Sequence, residues 1–320
     1  MPAADAIILC AGLGTRLKPL TELLPKPAVP LFGRPLVGYS MALLRAAGFG
    51  RACINTHWRP GEMEAAARDE ARGVGLDLSV SYEPTILGTG GALRKVREDG
   101  LVRREAHLLV LNGDVLVDAD LNELLRVHFS SGAWATMLLK PLPPGATYSP
   151  VELGDHGRIR RIGRFGEPKG GAPWMFTGVH VLSPEALSLL PPGASGVVEE
   201  VYAKLLDRAA PVHAAASPGL WLDLGDPKGY LEAHLLLLSA TAELGALARC
   251  GALSAPVAGV SAGAAVDSAA TVVRSAIGEG ATVGARAQVE DCVVWPRARV
   301  EAGERLRRTI VTPRLRIAVD

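Results

Sequence analysis

Between residues 6 and 30 the chain reads AIILCAGLGTRLKPLTELLPKPAVP, a stretch whose residue types can hold phosphates. An apolar run, Ala6 to Cys10, enters a turn in which Gly12 and Gly14 let backbone amides approach an anion closely. Arg16, Lys18 and Lys26 follow in a proline-stiffened segment. No Gly-Lys-Ser/Thr closes the loop, and Leu17 stands where GxGxxG needs its third glycine, so neither common nucleotide fingerprint fits. Lys26 lies between Pro25 and Pro27, which fix its backbone and reduce the entropy lost on meeting a ligand. A second glycine loop, EPTILGTGGAL at residues 83–93, carries Gly88, Gly90 and Gly91 ahead of a helical pattern whose N-terminus favours anions. The segment LLVLNGDVLVDADL places Asn112, Gly113 and Asp114 at the end of the most apolar run, where a carboxylate is costly unless paired or bound to a cation. In GLWLDLGDPKGY, Asp226 before Pro227 is explained as a helix cap, which leaves Asp223 without a structural role. Asp118 and Asp120 are expected to be solvated, with Asp120 able to cap a helix from Leu121.

These residues need a scaffold that gathers loops at one edge, and the hydrophobic pattern supplies one. Ala6–Cys10, Ala52–Asn55, Leu78–Tyr82 and His107–Leu111 read as strands, and Leu36–Ala47, Gly61–Ala71, Gly90–Arg97 and Leu121–Phe129 as helices between or after them. Such alternation predicts an α/β, Rossmann-like mixed sheet, mostly parallel and flanked by helices, with ligands beyond the carboxyl ends of the strands. Strand candidates Ala135–Leu139, Arg158–Ile162, Met175–Leu182 and Val212–Ala216 extend that sheet, with helices over Val197–Arg208 and Pro227–Leu238. After residue 250 small residues dominate, and apolar ones recur every sixth position: Val260, Val266, Val272; Ile277, Val283, Val289; Val294, Val300, Leu306. That period predicts a short left-handed parallel β-helix, with slips near Ile277 and Val294 as loops or corners. The expected division is residues 1–240 and 241–320.

GLGTRLKPLT followed by PKP resembles the signature of sugar-1-phosphate nucleotidylyltransferases (NDP-sugar pyrophosphorylases). LGTGG, NGD and WLDLGDP match further motifs of that family in order. The resemblance implies a loop wrapped around an NTP, with Arg16 and Lys26 as catalytic residues that neutralise charge as pyrophosphate leaves. It implies Leu9, Ala11, Gly12, Gly14, Thr15, Glu83 and Gly88 at the nucleotide, and Asp114 and Asp223 as ligands of Mg²⁺. For the sugar phosphate it implies Asn112, Gly113, Thr177 and Gly178, with Glu199 and Lys169 as further candidates. Lys169 sits in GEPKGG, displaced from the E-K-P tripeptide of many relatives. Two carboxylates from distant loops suit Mg²⁺, a hard ion that prefers oxygen ligands, waters and phosphates. The partners implied are an NTP and a sugar-1-phosphate, GTP with mannose-1-phosphate first. UTP- or dTTP-dependent enzymes and a non-catalytic regulatory homologue that binds nucleotide sugar are the alternatives.

Composition sets the outer bounds. The 320 residues carry a net charge of +1 with 21% charged and 48% hydrophobic residues, which gives no basic surface for nucleic acid and no stretch of membrane-spanning length. With no leader-like N-terminus, a cytoplasmic protein is expected. Cys10, Cys53, Cys250 and Cys292 show no metal-ligand spacing and read as buried free thiols. The histidines show no HxxxH spacing, and none follows His234, which argues against an acyl-transferring β-helix. The repeat region reads instead as an assembly or regulatory module that would carry a homo-oligomer contact.

Overall fold

A computed structural model describes residues 4–168, 170–239, 243–253 and 257–320. The first part is built on strands β1 (Ala4–Leu9), β2 (Arg51–Thr56), β3 (Asp77–Tyr82), β4 (His107–Asn112), β5 (Val115–Val117), β6 (Ala135–Pro141), β7 (Pro150–Leu153), β8 (Ile159–Ile162), β9 (Trp174–Leu182), β10 (Val212–Ala216) and β11 (Trp221–Asp223). Its longer helices are α1 (Leu36–Ala46), α2 (Pro60–Val74), α3 (Gly88–Glu98), α4 (Leu121–Ser130) and α5 (Pro227–Leu238). In the main sheet β3, β2, β1 and β4 run parallel, in that spatial order. The antiparallel β9 follows, flanked by β4 and β6, and β10 pairs with β6 in parallel.

Alternation along the strands sends side chains to two cores. Ala6, Ile8, Leu109 and Leu111 join the apolar cluster on the α1, α2 and α4 side, while Ile7, Leu108 and Val110 join the one under α3. The element types expected from the sequence are present, with two differences of kind. Over Val197–Arg208 the first turn, Val198–Tyr202, is a π-helix before α-helical geometry resumes at Ala203. The short strands β5, β7 and β11 interrupt segments that carry too few residues for a periodic pattern.

Asp120 caps α4, accepting from the Asn122 and Glu123 amides at 3.1 Å, and Asp226 caps α5 through the Gly229 amide at 2.8 Å. Asp118 departs from expectation. It is buried, accepting from the Leu247 amide at 2.7 Å and also from the Gly245 amide, so it ties the segment after α5 to the first part. Cys10, Cys53 and Cys292 are buried free thiols, whereas Cys250 is half-buried.

The repeat region winds through three sheets whose strands stack in parallel, as a β-helix does, and the last strand, Arg316–Ala318, folds back antiparallel on Thr309–Val311. Ala265 pairs with Thr282 and Thr282 with Arg299, a coil of 17 residues. The apolar residues are therefore spaced six, six and five, and the slips at Ile277 and Val294, expected as loops or corners, are the short third side of each coil. Ile277, Val283, Val289, Val294 and Val300 are buried, but Val260 and Val266 of the first coil remain 44% and 36% exposed because no preceding coil covers them. Tyr230, Leu231 and Leu237 of α5 share one apolar cluster with Ala276, Ile277 and Trp295, which seats the β-helix on the first part.

Among the described residues three histidines are buried without a charged partner. Burial pulls His128 down to about 4, His180 to about 3 and His234 to about 4, from an ordinary 6.5. The unfolded chain takes up these protons below about pH 6.5 and the folded chain does not until near pH 4, so stability falls with falling pH across that window. Urea midpoints at pH 7.5 and pH 5 should differ by the equivalent of about 2 kcal/mol per histidine, with the loss at pH 5. Equal midpoints would contradict the assignment.

Candidate functional site

Strands β2, β1 and β4 end at one level, with Leu9 in register with Asn55 on one side and Asn112 on the other. The chain leaving β1 is held there by side chains of its neighbours. Asn55 accepts from the Cys10 amide at 2.7 Å and donates to Glu83 at 2.8 Å, while the other Glu83 oxygen accepts from the Leu87 amide at 3.0 Å. Gly113 donates its amide to the Leu9 carbonyl at 2.9 Å, and a Cβ there would meet Cys10 Sγ at 2.8 Å. This frame forms the floor of an open cleft of about 210 Å³. Leu9, Ala11, Gly12, Gly14, Glu83 and Gly88 all line it, together with Asn112 and Asp114. Burial, and then the charge of Asp114, push the Cys10 thiol well up, so it is not a nucleophile here.

The two loop glycines differ in kind. At Gly12 an added Cβ would meet nothing within 4 Å, leaving the backbone open to a ligand. Gly14 has φ +60, and its Cβ would fall 2.8 Å from Thr21 Cγ2 and 3.0 Å from Lys26 Cβ. It is needed to turn the chain over the lysine stem. In the second loop, Gly90 and Gly91 donate their amides to the Ser195 carbonyl at 2.8 and 3.3 Å. Those two glycines serve packing between segments, and Glu83, Ile86, Gly88 and Thr89 are the loop residues that line the cleft.

At the mouth of the cleft lies a cluster of charges. Lys26 is 4% exposed, and its Nζ is 3.0 Å from Asp114 Oδ2 and 3.0 Å from Asp223 Oδ1. The pairing of β11 with β5, Asp223 opposite Val115, carries the second carboxylate to the first across more than a hundred residues. Arg16, largely exposed, reaches Asp223 Oδ2 at 3.4 Å. Tyr148 Oη comes within 3.5 Å of the same oxygen, with its ring edge-on to Trp221 at 5.4 Å between centroids. Burial and the Asp223 charge raise the Tyr148 phenol, which therefore stays protonated. No group of three or more His, Cys, Asp or Glu suited to a metal occurs among the described residues. Two carboxylates facing one point do fit Mg²⁺, which is often held by one or two carboxylates and completed by waters and substrate phosphates.

The other residues named from the sequence fall into three groups. Gly178 has φ +85 where the β6–β9 register breaks, and its Cβ would stand 2.7 Å from Asn112 Nδ2, so these two do meet. Thr177 is buried with its hydroxyl donated to the Leu138 carbonyl at 2.8 Å, and its own carbonyl accepts from Trp221 Nε1 at 2.8 Å. Its side chain thus holds the strand rather than facing the cleft. Glu199 is exposed and folds back over Gly196, and Thr15 lies in the exposed turn before Leu17. Lys169 lies outside the described residues. Sequence reasoning missed Asn55 and Tyr148: an Asn at a strand end and a Tyr in a proline-rich loop carry no local signal. Gly178→Ala should displace Asn112 and force a strained φ. We expect a tenfold or greater loss of kcat/KM, with about 1–2 kcal/mol of stability lost, in paired kinetic and urea measurements. An unchanged kcat/KM would remove Asn112 from the site.

Known sequences resemble the chain over both of its parts. The Nucleotidyl transferase family profile matches residues 5–240, and that of the GlmU-like, C-terminal hexapeptide matches residues 249–320. Among curated proteins, the chain is 30% identical over 247 residues to a UTP–glucose-1-phosphate uridylyltransferase of Synechocystis sp., covering 73% of this chain and 63% of that protein. It is 31% identical over 240 residues to a mannose-1-phosphate guanyltransferase of Pichia angusta, covering 73% and 64%. A protein of the same name from Candida albicans is 31% identical over 241 residues, with the same two shares. The chain thus spans a little under two thirds of the length of these relatives. With a family match across its whole first part, the chain belongs to the nucleotidyl transferase family.

Proposed function

We propose that the protein transfers a nucleotidyl group from an NTP to a sugar-1-phosphate, giving an NDP-sugar and pyrophosphate, with Mg²⁺ as the metal and GTP with mannose-1-phosphate as the leading pair. The observation that carries this reading is Lys26 buried between Asp114 and Asp223 beside a glycine-lined cleft. In the reaction, an oxygen of the sugar-1-phosphate attacks the α-phosphorus in line. The bond from that phosphorus to the α–β bridging oxygen breaks, and pyrophosphate leaves with the electron pair. A phosphate nucleophile is already ionised, so alignment and charge neutralisation matter more than a general base. The open Gly12 backbone suits close approach of the triphosphate, and Arg16 and Lys26 suit neutralising its leaving end. Asp114 and Asp223 would hold the metal, which when bound supplies positive charge to phosphate oxygens.

For the base, support comes from Glu83. Each of its oxygens already accepts one hydrogen bond, which leaves acceptor capacity toward the cleft. Guanine offers adjacent N1–H and N2–H donors, whereas uracil and thymine offer a single N3–H. The Synechocystis relative's name keeps UTP as the second reading. The test is pyrophosphate release over five NTPs and several sugar-1-phosphates with Mg²⁺. Turnover is expected with GTP and mannose-1-phosphate, and the absence of turnover with every pair sinks the proposal. Among the described residues no helix is long and apolar enough to cross a membrane.

A further inference from the structure

Lys26 has an unusual position for a residue expected to meet phosphate. Its ammonium contacts both carboxylates at 3.0 Å, and its side chain is 5% exposed. The stem is confined: Pro25 and Pro27 flank it, and the Gly14 backbone lies over its Cβ. A magnesium ion shared by the same two carboxylates would lie about 2.0–2.1 Å from each oxygen, in the space the ammonium fills. Ammonium and metal cannot both be there, because two cations in a partly buried site repel strongly. Lys26 lines the cleft together with Gly12 and Gly14, so a triphosphate entering there offers its ammonium other anionic oxygens.

We infer that Lys26 is a tethered placeholder: its ammonium occupies the divalent-cation cradle until a nucleoside triphosphate draws it away. This rests on the metal reading given above, and adds that the protein alone disfavours the metal. Binding of metal and triphosphate is then coupled through one side chain, and the coupling is reciprocal. The arrangement also keeps two carboxylates paired between turnovers, when neither phosphate nor metal is present. Arg16 is a poor second placeholder, since its side chain is 70% exposed and, among the described residues, its ion pair is with Asp223 and not with Asp114.

The test is direct binding of Mn²⁺ to the full chain, read by electron paramagnetic resonance or calorimetry, with and without α,β-methylene-GTP, which is not cleaved at the α–β position. Wild type should bind Mn²⁺ weakly by itself. Lys26→Met and Lys26→Gln should tighten Mn²⁺ alone by tenfold or more, about 1.4 kcal/mol. Arg16→Gln, which also removes one positive charge, should change it less than threefold, and Asp114→Asn should abolish it. The analogue should tighten Mn²⁺ in wild type more than in either Lys26 variant. Lys26→Gln keeps a polar group of similar length and stands in where Lys26→Met fails to fold. If both variants bind Mn²⁺ within twofold of wild type while Asp114→Asn weakens it, the placeholder role is overturned and the metal site stands. If no protein binds Mn²⁺ at this site even with the analogue, the metal reading and the placeholder fall together.

Discussion

Asp223→Asn should lower kcat by about 10³-fold while leaving the protein folded, a loss typical of removing one charge-stabilising group from a phosphoryl-transfer site. The substitution keeps size and shape, and Asp114 still pairs with Lys26, so the urea midpoint should move by less than the equivalent of about 1 kcal/mol. The loss should be partly recovered at high Mg²⁺, since one carboxylate remains. Steady-state kinetics against Mg²⁺ concentration checks this. A full rate at low Mg²⁺ would show that Asp223 is not a metal ligand. It would then serve to hold Lys26 through Oδ1 and Arg16 and Tyr148 through Oδ2.

Lys26→Met should affect both rate and stability. Removing the ammonium leaves Asp114 and Asp223 facing one another with the exposed Arg16 as the remaining cation beside Asp223, and breaking one side of a buried ion pair costs several kcal/mol. Asp114 is 41% exposed, so solvent screens part of that cost, and about 1–3 kcal/mol is expected. A Lys26→Met/Asp223→Asn double variant should regain some of it, because the residual repulsion is gone. Turnover should fall by about 10³-fold in the single variant, with the larger effect on kcat if Lys26 meets charge that develops as pyrophosphate departs. Additive stability effects in the double variant would mean that the contacts at 3.0 Å carry no energetic coupling.

The parts of this site that could be read from sequence are those whose signal is local. Gly12, Lys26 between prolines, and a carboxylate after the most apolar strand each break a pattern that the surrounding residues establish. Asp226 and Asp120 were legible because a cap acts on amides two or three residues away. Asp118 was not, because the amides it satisfies lie 127 and 129 residues downstream. Asn55 frames the cleft only because β2 lies beside β1, and Tyr148 reaches Asp223 only because β11 pairs with β5. In the β-helix the six-residue period was visible, but its regular shortening to five was not, because two slips in a short array look like loops or corners. Stacking fixes the matter: every coil must return to the same register with the one below.

In the proposed reaction an NTP is cleaved between its α- and β-phosphates and its nucleotidyl group goes to a sugar phosphate. The most direct measurement follows label from GTP incubated with mannose-1-phosphate and Mg²⁺. All label from [α-³²P]GTP is expected in the sugar nucleotide, and all label from [γ-³²P]GTP in pyrophosphate. Label from the γ position in orthophosphate or on the sugar would contradict the account, since the protein would then be cleaving the terminal phosphate instead.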